Sequence, residues 1–170
     1  MSILIGRVTV ASPELAEFLL AHHADMSGTA PTESQHALPL DGLLVPGVRL
    51  FTAREGDDLV ATGALATIDG SHEELKSMRT DPQRRGRGLG AMMLAALLDD
   101  ASERGIRRVS LETGSADFFR PARALYARAG FVECAPFGRY AVDPHSTFMT
   151  VALAPASDGA SRARYAIMDG

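Results

Sequence analysis

The chain is predicted to fold as an α/β (α+β) protein, a mixed sheet covered by helices. Three observations predict it. Strand-like and helix-like segments alternate along 170 residues, a length that supports one domain with a full core. Two apolar, β-rich runs, Val48 to Arg54 and Leu59 to Ile68, flank the turn-forming residues Glu55-Gly56-Asp57-Asp58, as in an antiparallel hairpin. Between Gly88 and Arg104, Leu89, Met92, Met93, Ala96, Leu97 and Ala101 recur at helical spacing, and Gly105 closes the segment.

The other elements follow in order. Ile3 to Val10 is rich in β-branched residues and reads as the first strand. Ser12 is placed to cap a helix that begins at Pro13 and carries Leu15, Phe18, Leu19 and His22 on one face. Residues 27–39 have loop composition, and a helical turn at Leu40 to Leu44 follows. Glu74 to Thr80 is a strand stopped by Asp81-Pro82. Arg107 to Thr113 is a strand, Pro121 to Ala129 a short helix closed by Gly130, and Phe131 to Ala135 and Thr147 to Leu153 the last two strands. Residues 1–154 form the predicted domain, and 155–170 a small, polar, mobile tail.

Composition narrows the function. A hydrophobic share of 46% with 22% charged residues is that of a globular protein, and no apolar run approaches the ~20 residues that span a bilayer. The start of the chain lacks the pattern of a secretory signal, and Cys134 is the only cysteine, so neither an internal disulfide nor a thiolate metal cluster can form. These features fit a cytoplasmic protein. A net charge of −4 argues against broad nucleic-acid binding. His22, His23 and His36 lack metal-ligand spacing, so no metal is expected. Only Lys76 among the 17 basic residues is a lysine, and the arginines cluster locally.

The densest cluster is Arg84-Arg85-Gly86-Arg87-Gly88-Leu89-Gly90, between a strand and the best helix. Glycines admit close approach to backbone N–H groups, and a helix N-terminus adds unpaired donors and partial positive charge. Together with Arg85 and Arg87 these suit a pyrophosphate. A Walker loop would need Lys-Ser or Lys-Thr where Ala91-Met92 stands. Gly86, Gly88 and Ala91 do satisfy the dinucleotide pattern G-x-G-x-x-A, with Glu112 near the ribose-binding distance, so an NAD(P)-dependent oxidoreductase is an alternative. Against it, Thr80 to Arg85 separate the strand from Gly86, and much of the chain precedes the motif.

Arg85 to Gly90 match the R-x-x-G-x-G signature of the GNAT N-acetyltransferase superfamily, and Glu74 to Pro82 resemble that family's fourth strand. Ala124-Leu125-Tyr126-Ala127-Arg128-Ala129-Gly130-Phe131 resembles its second landmark, A-L-Y-x-x-x-G-F. The resemblance runs through residues 3–153 and looks closest to small bacterial members with segments like Glu33 to Leu38 and Pro136 to Tyr140. It implies the GNAT fold, with a mostly antiparallel sheet of about six or seven strands. One departure is Phe119, where many members carry an asparagine that contacts the pantetheine arm.

What the resemblance implies is acetyl transfer from acetyl-CoA to the amine of a small molecule or peptide, by direct attack on the thioester. The cosubstrate would enter a V-shaped opening between the fourth and fifth strands. Met78, Arg79 and Thr80 would bind it through their backbone, and Arg85, Gly86, Arg87, Gly88, Leu89, Gly90 and Ala91 would cradle its pyrophosphate. Tyr126 is the candidate acid for the leaving thiolate, and Glu112 and Glu74 are rival bases, with water as a relay. Ser34 and His36, in the loop from Ser27 to Pro39, are expected to border the acceptor. A non-catalytic CoA-binding sensor of the same fold is the other alternative. Partners reduce to the acceptor, with no nucleic acid and no membrane, in a monomer or homodimer.

Overall fold

The computed structural model describes residues 2–155. All of the predicted tail beyond Pro155 lies outside them. The elements are β1 (Ile3–Val8), α1 (Pro13–Met26), α2 (Leu40–Leu43), β2 (Val48–Glu55), β3 (Asp58–Thr67), β4 (His72–Thr80), α3 (Leu89–Glu103), β5 (Arg108–Gly114), α4 (Arg120–Arg128), β6 (Val132–Glu133) and β7 (Ser146–Ala152). The strands form one seven-stranded sheet in the order β1-β2-β3-β4-β5-β7-β6. Every neighbouring pair is antiparallel except β4 and β5, which α3 connects as a crossover. One parallel pair rules out the doubly wound sheet that the dinucleotide reading required.

Local chemistry explains the boundaries. Ser12 accepts a hydrogen bond from the Leu15 N–H at 3.2 Å and caps α1, with Pro13 in the first turn. Gly56, at φ +61°, makes the tight β2–β3 turn that a side chain would strain. β1 stops at Val8, short of the expected Val10, because its pairing with β2 ends at Val8 opposite Leu50 and Val10 lies exposed. β4 begins two residues early, at His72, where pairing with β5 begins. The expected strand from Phe131 to Ala135 shrinks to Val132–Glu133, an edge pairing with β7 only. Within the predicted loop, Thr32–Ser34 form a single 3₁₀ turn.

Two apolar layers sandwich the sheet. α1 and α2 cover one face through Leu15, Leu19 and Leu43 against Leu50, Leu59 and Ala64. α3 and α4 cover the other through Met93, Leu94, Leu97 and Tyr126 against Val60, Leu65, Leu75 and Leu111. Gly63 lets α3 sit close on β3, since a β-carbon there would come within 2.6 Å of Leu97 and 2.9 Å of the Met78 sulfur. Two arginine forks tie the helix to the sheet at its C-terminal end. Arg49 binds both oxygens of Asp100 (2.9 and 2.6 Å), and Arg104 joins Asp100 (2.9 Å) to both oxygens of buried Glu73 (2.7 Å each).

The sheet opens at β4 and β5. Their pairing covers only His72–Leu75 against Arg108–Leu111, although β4 continues to Thr80 and β5 to Gly114. In the same stretch β4 bulges against β3: Lys76 faces Ala64 while Arg79 faces Thr62, so two β4 residues, Ser77 and Met78, oppose the single Gly63 on β3, one residue extra. Ser77 takes φ +53° there, and the Thr62 hydroxyl bonds its carbonyl at 2.9 Å. A bulge bends its strand, and this one lies where β4 parts from β5.

Candidate active site

A cavity of about 570 Å³ fills the split between the two strands. Glu74 to Thr80 of β4 and Glu112 to Gly114 of β5 form its sides. The α3–α4 face contributes the glycine loop and Tyr126, and the α1 face contributes His22, Asp25, Ser34 and His36. The opening therefore passes through the sheet, with the glycine loop at one side and polar side chains at the other.

The loop side is built by glycines. Gly86 and Gly88 take φ +78° and +77°, a region unfavourable to side chains. Gly88 caps α3 without a side-chain hydrogen bond, so the N–H groups of the first turn lack the usual acceptor. Gly88, Leu89, Gly90 and Ala91 all border the cavity. Gly90 keeps α3 close to its neighbours: a β-carbon would sit 3.2 Å from Leu125 and 3.5 Å from the Thr80 hydroxyl.

The arginines divide. Arg85 borders the cavity. Arg87 turns away and grips both oxygens of Glu55, at 3.0 and 2.6 Å. Arg84 also binds Glu55 and, across the hairpin turn, Asp58. The Arg87 guanidinium, followed by that of Arg84, holds the Glu55 carboxyl below the usual carboxylate range. Glu55 thus moors the glycine loop to the β2–β3 hairpin, and the Arg87 side chain, expected to help cradle a pyrophosphate, is engaged elsewhere.

The three backbone candidates on β4 also differ. Met78 packs toward α3 beside Gly63. Arg79 points the other way: its guanidinium pairs with Asp25 and lies 5.1 Å from the Phe18 ring centre. Burial, then the Arg79 charge, pushes His22 beside it down to about 4, so that imidazole is neutral at pH 7. Thr80 stands against Gly90.

At the centre, Tyr126 is buried against Phe131, with ring centres 5.8 Å apart, and also borders the cavity. Burial, reinforced by the Glu112 charge, raises its phenol above the usual range. Burial likewise raises the Glu112 carboxyl, an effect opposed first by a hydrogen bond from Ser146 and then by the His36 and Lys76 charges, and added to by nearby Glu74. Glu74 is engaged differently. Its Oε1 accepts from Lys76 Nζ at 3.0 Å and from the Tyr140 hydroxyl, which itself accepts from Lys76 Nζ at 3.0 Å.

Ser34 is buried and borders the cavity beside His36. The His36 ring meets Tyr140 edge to face, 4.9 Å between centres. His36 and Glu74 also line a second recess, formed with Glu33, Phe137, Tyr140 and Asp143. Tyr140 and Lys76 are the site residues that sequence reasoning missed as such; the available signal was the Pro136 to Tyr140 segment. Phe119, at the position of the family asparagine, packs its ring onto the backbone of Gly114, where a β-carbon would lie 2.0 Å away. Its neighbour Phe118 is half exposed, and both rings border the cavity.

The profile of the acetyltransferase (GNAT) family matches residues 15–131. An uncharacterized N-acetyltransferase of Bacillus subtilis, YsnE, is 44% identical over 132 residues, 78% of this chain and 87% of the relative. Among solved structures, a candidate acyl-CoA N-acyltransferase from Klebsiella pneumoniae superposes with a TM-score of 0.73 at 30% identity, covering 89% of this chain and 97% of its own. An acetyltransferase of Bacillus subtilis crystallised with CoA shares the fold at 16% identity, with a TM-score of 0.68 over 90% of this chain and 100% of its own.

Proposed function

The chain belongs to the acetyltransferase (GNAT) family and is an N-acetyltransferase, and we propose that it moves acetyl from acetyl-CoA to a primary amine by direct attack, with Glu112 as base and Tyr126 as acid. The observation that carries this reading is the single cavity in which the N-terminus of α3, Glu112, Tyr126 and the Ser34–His36 segment meet through the split sheet.

The loop amides and Arg85 hold the diphosphate, placing the thioester between β4 and β5. Glu112, directly or through one water, takes the proton from the acceptor ammonium. The freed amine adds to the carbonyl carbon. Backbone N–H groups along the unpaired stretch of β4 stabilise the developing oxyanion. Collapse re-forms the carbonyl and breaks the carbon–sulfur bond. The phenol of Tyr126 gives its proton to the departing sulfur and regains one from the nitrogen, directly or through water, so a neutral amide and the CoA thiol leave while Glu112 returns the first proton to solvent. A phenol raised by burial is a weak acid for a thiol near ~8.5, but burial disfavours the thiolate too, so the two rise together.

Glu112 suits the base better than Glu74. Its carboxyl is raised by burial, toward the pH at which a base works best, while Glu74 already accepts from Lys76 and Tyr140. The sign follows: a base must be unprotonated, so activity is lost as pH falls through the raised value, earlier than for an ordinary glutamate. Acceptor specificity resides in Ser34, His36 and the adjoining recess. Dependence on acetyl-CoA, a cytoplasmic metabolite, supports a cytoplasmic site of action. The test is thiol release from acetyl-CoA across a panel of amines, amino acids and peptides, with mass spectrometry of the product. CoA binding without thiol release for any acceptor would favour a sensor instead.

A further inference from the structure

We propose that Tyr140, on the connection between β6 and β7, is a positioning residue that with Lys76 locks Glu74 into a closed ion-paired unit, leaving Glu112 as the proton-accepting carboxylate of the cavity. The proposal rests on the assignment of Glu112 as base.

Glu74 and Lys76 are two apart on β4, so their side chains share a face of the sheet, the one that α1 covers. Tyr140 arrives from 66 residues downstream and closes a triangle with them: Lys76 Nζ reaches Glu74 Oε1 and the Tyr140 oxygen at 3.0 Å each, while the Tyr140 hydroxyl donates to Glu74 Oε1. The Lys76 ammonium also lies 5.7 Å from the Tyr140 ring centre. All three side chains are largely buried, with Glu74 13% and Lys76 12% exposed. An ion pair so shielded from water is little screened by salt. Phe137 and Phe148 pack on the same ring at 5.2 and 5.4 Å, which fixes the phenol in place.

The ring does a second task. His36 stands edge-on to it at 4.9 Å, so one side chain orients both Glu74, by its hydroxyl, and His36, by its face. Two segments a hundred residues apart, Glu33 to Leu38 and Pro136 to Tyr140, meet at this contact and wall the recess that adjoins the cavity.

Glu112 on β5 faces Glu74 and Lys76 from β4 and His36 from the loop after α1. Tyr126 from α4 and Tyr140 also feel its charge, and His145 borders the same cavity. Lys76 favours the ionised Glu112 and Glu74 opposes it. Loosening the unit should therefore move the titration of Glu112 in directions that differ by residue.

The experiment is the pH profile of kcat/KM for a working amine in Glu74→Gln, Lys76→Met and Tyr140→Phe, with acetyl-CoA affinity measured alongside. Glu74→Gln should move the acid limb to lower pH, and Lys76→Met to higher pH, each by about one unit, the scale of a neighbouring charge. Tyr140→Phe keeps the ring and its packing but frees Glu74, so it should move the limb upward by less, and lower kcat with acetyl-CoA affinity unchanged. Lys76→Gln carries the same sign should Lys76→Met fold poorly. Purely structural roles would not produce shifts of opposite sign. Limbs unmoved in all three variants, while Glu112→Gln abolishes turnover, would overturn the proposal and spare the base. A wild-type limb in Glu112→Gln would overturn the base assignment, and this proposal with it.

Discussion

Removing Arg85 should weaken CoA binding far more than removing Arg87, although the two flank the same glycine. Arg85 borders the cavity, whereas the Arg87 guanidinium grips Glu55 at 3.0 and 2.6 Å. A hydrogen bond to a charged group contributes about 1.5–3 kcal/mol. Arg85 is solvent-exposed, which favours the lower end, and 1.4 kcal/mol is roughly a tenfold change in Kd. Arg85→Ala should therefore raise the CoA Kd about tenfold by calorimetry at 0.1 M salt. Arg87→Ala should raise it by less than about threefold, because Arg84 still holds Glu55 and the glycine amides remain. Higher salt should shrink the Arg85 effect, since exposed charges are screened beyond ~10 Å at 0.1 M. Equal losses in the two variants would mean that Arg87 leaves Glu55 for the phosphates, and the division of labour drawn here would be wrong.

Gly88→Glu should abolish CoA binding by placing a carboxylate at the anion site, and Gly88→Ala, which tests the φ +77° strain alone, should retain most of it by calorimetry. Tyr126→Phe should lower kcat by ~10²–10⁴-fold with acetyl-CoA affinity preserved; wild-type turnover would reduce Tyr126 to a packing residue. Ser34→Ala and His36→Ala should raise the acceptor KM or lower kcat with no change in acetyl-CoA affinity, measured by steady-state kinetics with each substrate varied. Arg104→Met strands the buried Glu73 carboxylate. Breaking a buried pair costs ~3–5 kcal/mol, reduced to about 2–4 because Arg104 is partly exposed. At ~2–4 °C per kcal/mol, Tm should fall by roughly 5–15 °C, and adding Glu73→Met should recover most of it.

The hairpin, the capped first helix and α3 were legible because their causes are local: Gly56 in a turn, Ser12 before Pro13, and apolar residues at a period of 3.6. The same holds for the glycine loop, where positive-φ glycines and an uncapped helix start cluster backbone donors within a few residues. That Tyr126 and Glu112 border one cavity was anticipated from motif and strand position. Boundaries were less legible. The early stop of β1 and the short β6 depend on where cross-strand pairing breaks off, although the partner strands run on, and no property of Val10 or Phe131 encodes that.

The sequence by itself determined an α/β chain with a glycine-rich loop at a helix start, and its two motifs carried the family resemblance from which the class of chemistry followed. Only the tertiary structure shows which of the candidate side chains are engaged by partners distant in sequence. Arg87 is 32 residues from Glu55, and Tyr140 is 66 from Glu74, separations over which composition and spacing carry no pairing information. Strand order, the β4 bulge and the position of the β6–β7 connection bring those charges together, and each pair so formed engages a side chain that the sequence alone left without a partner.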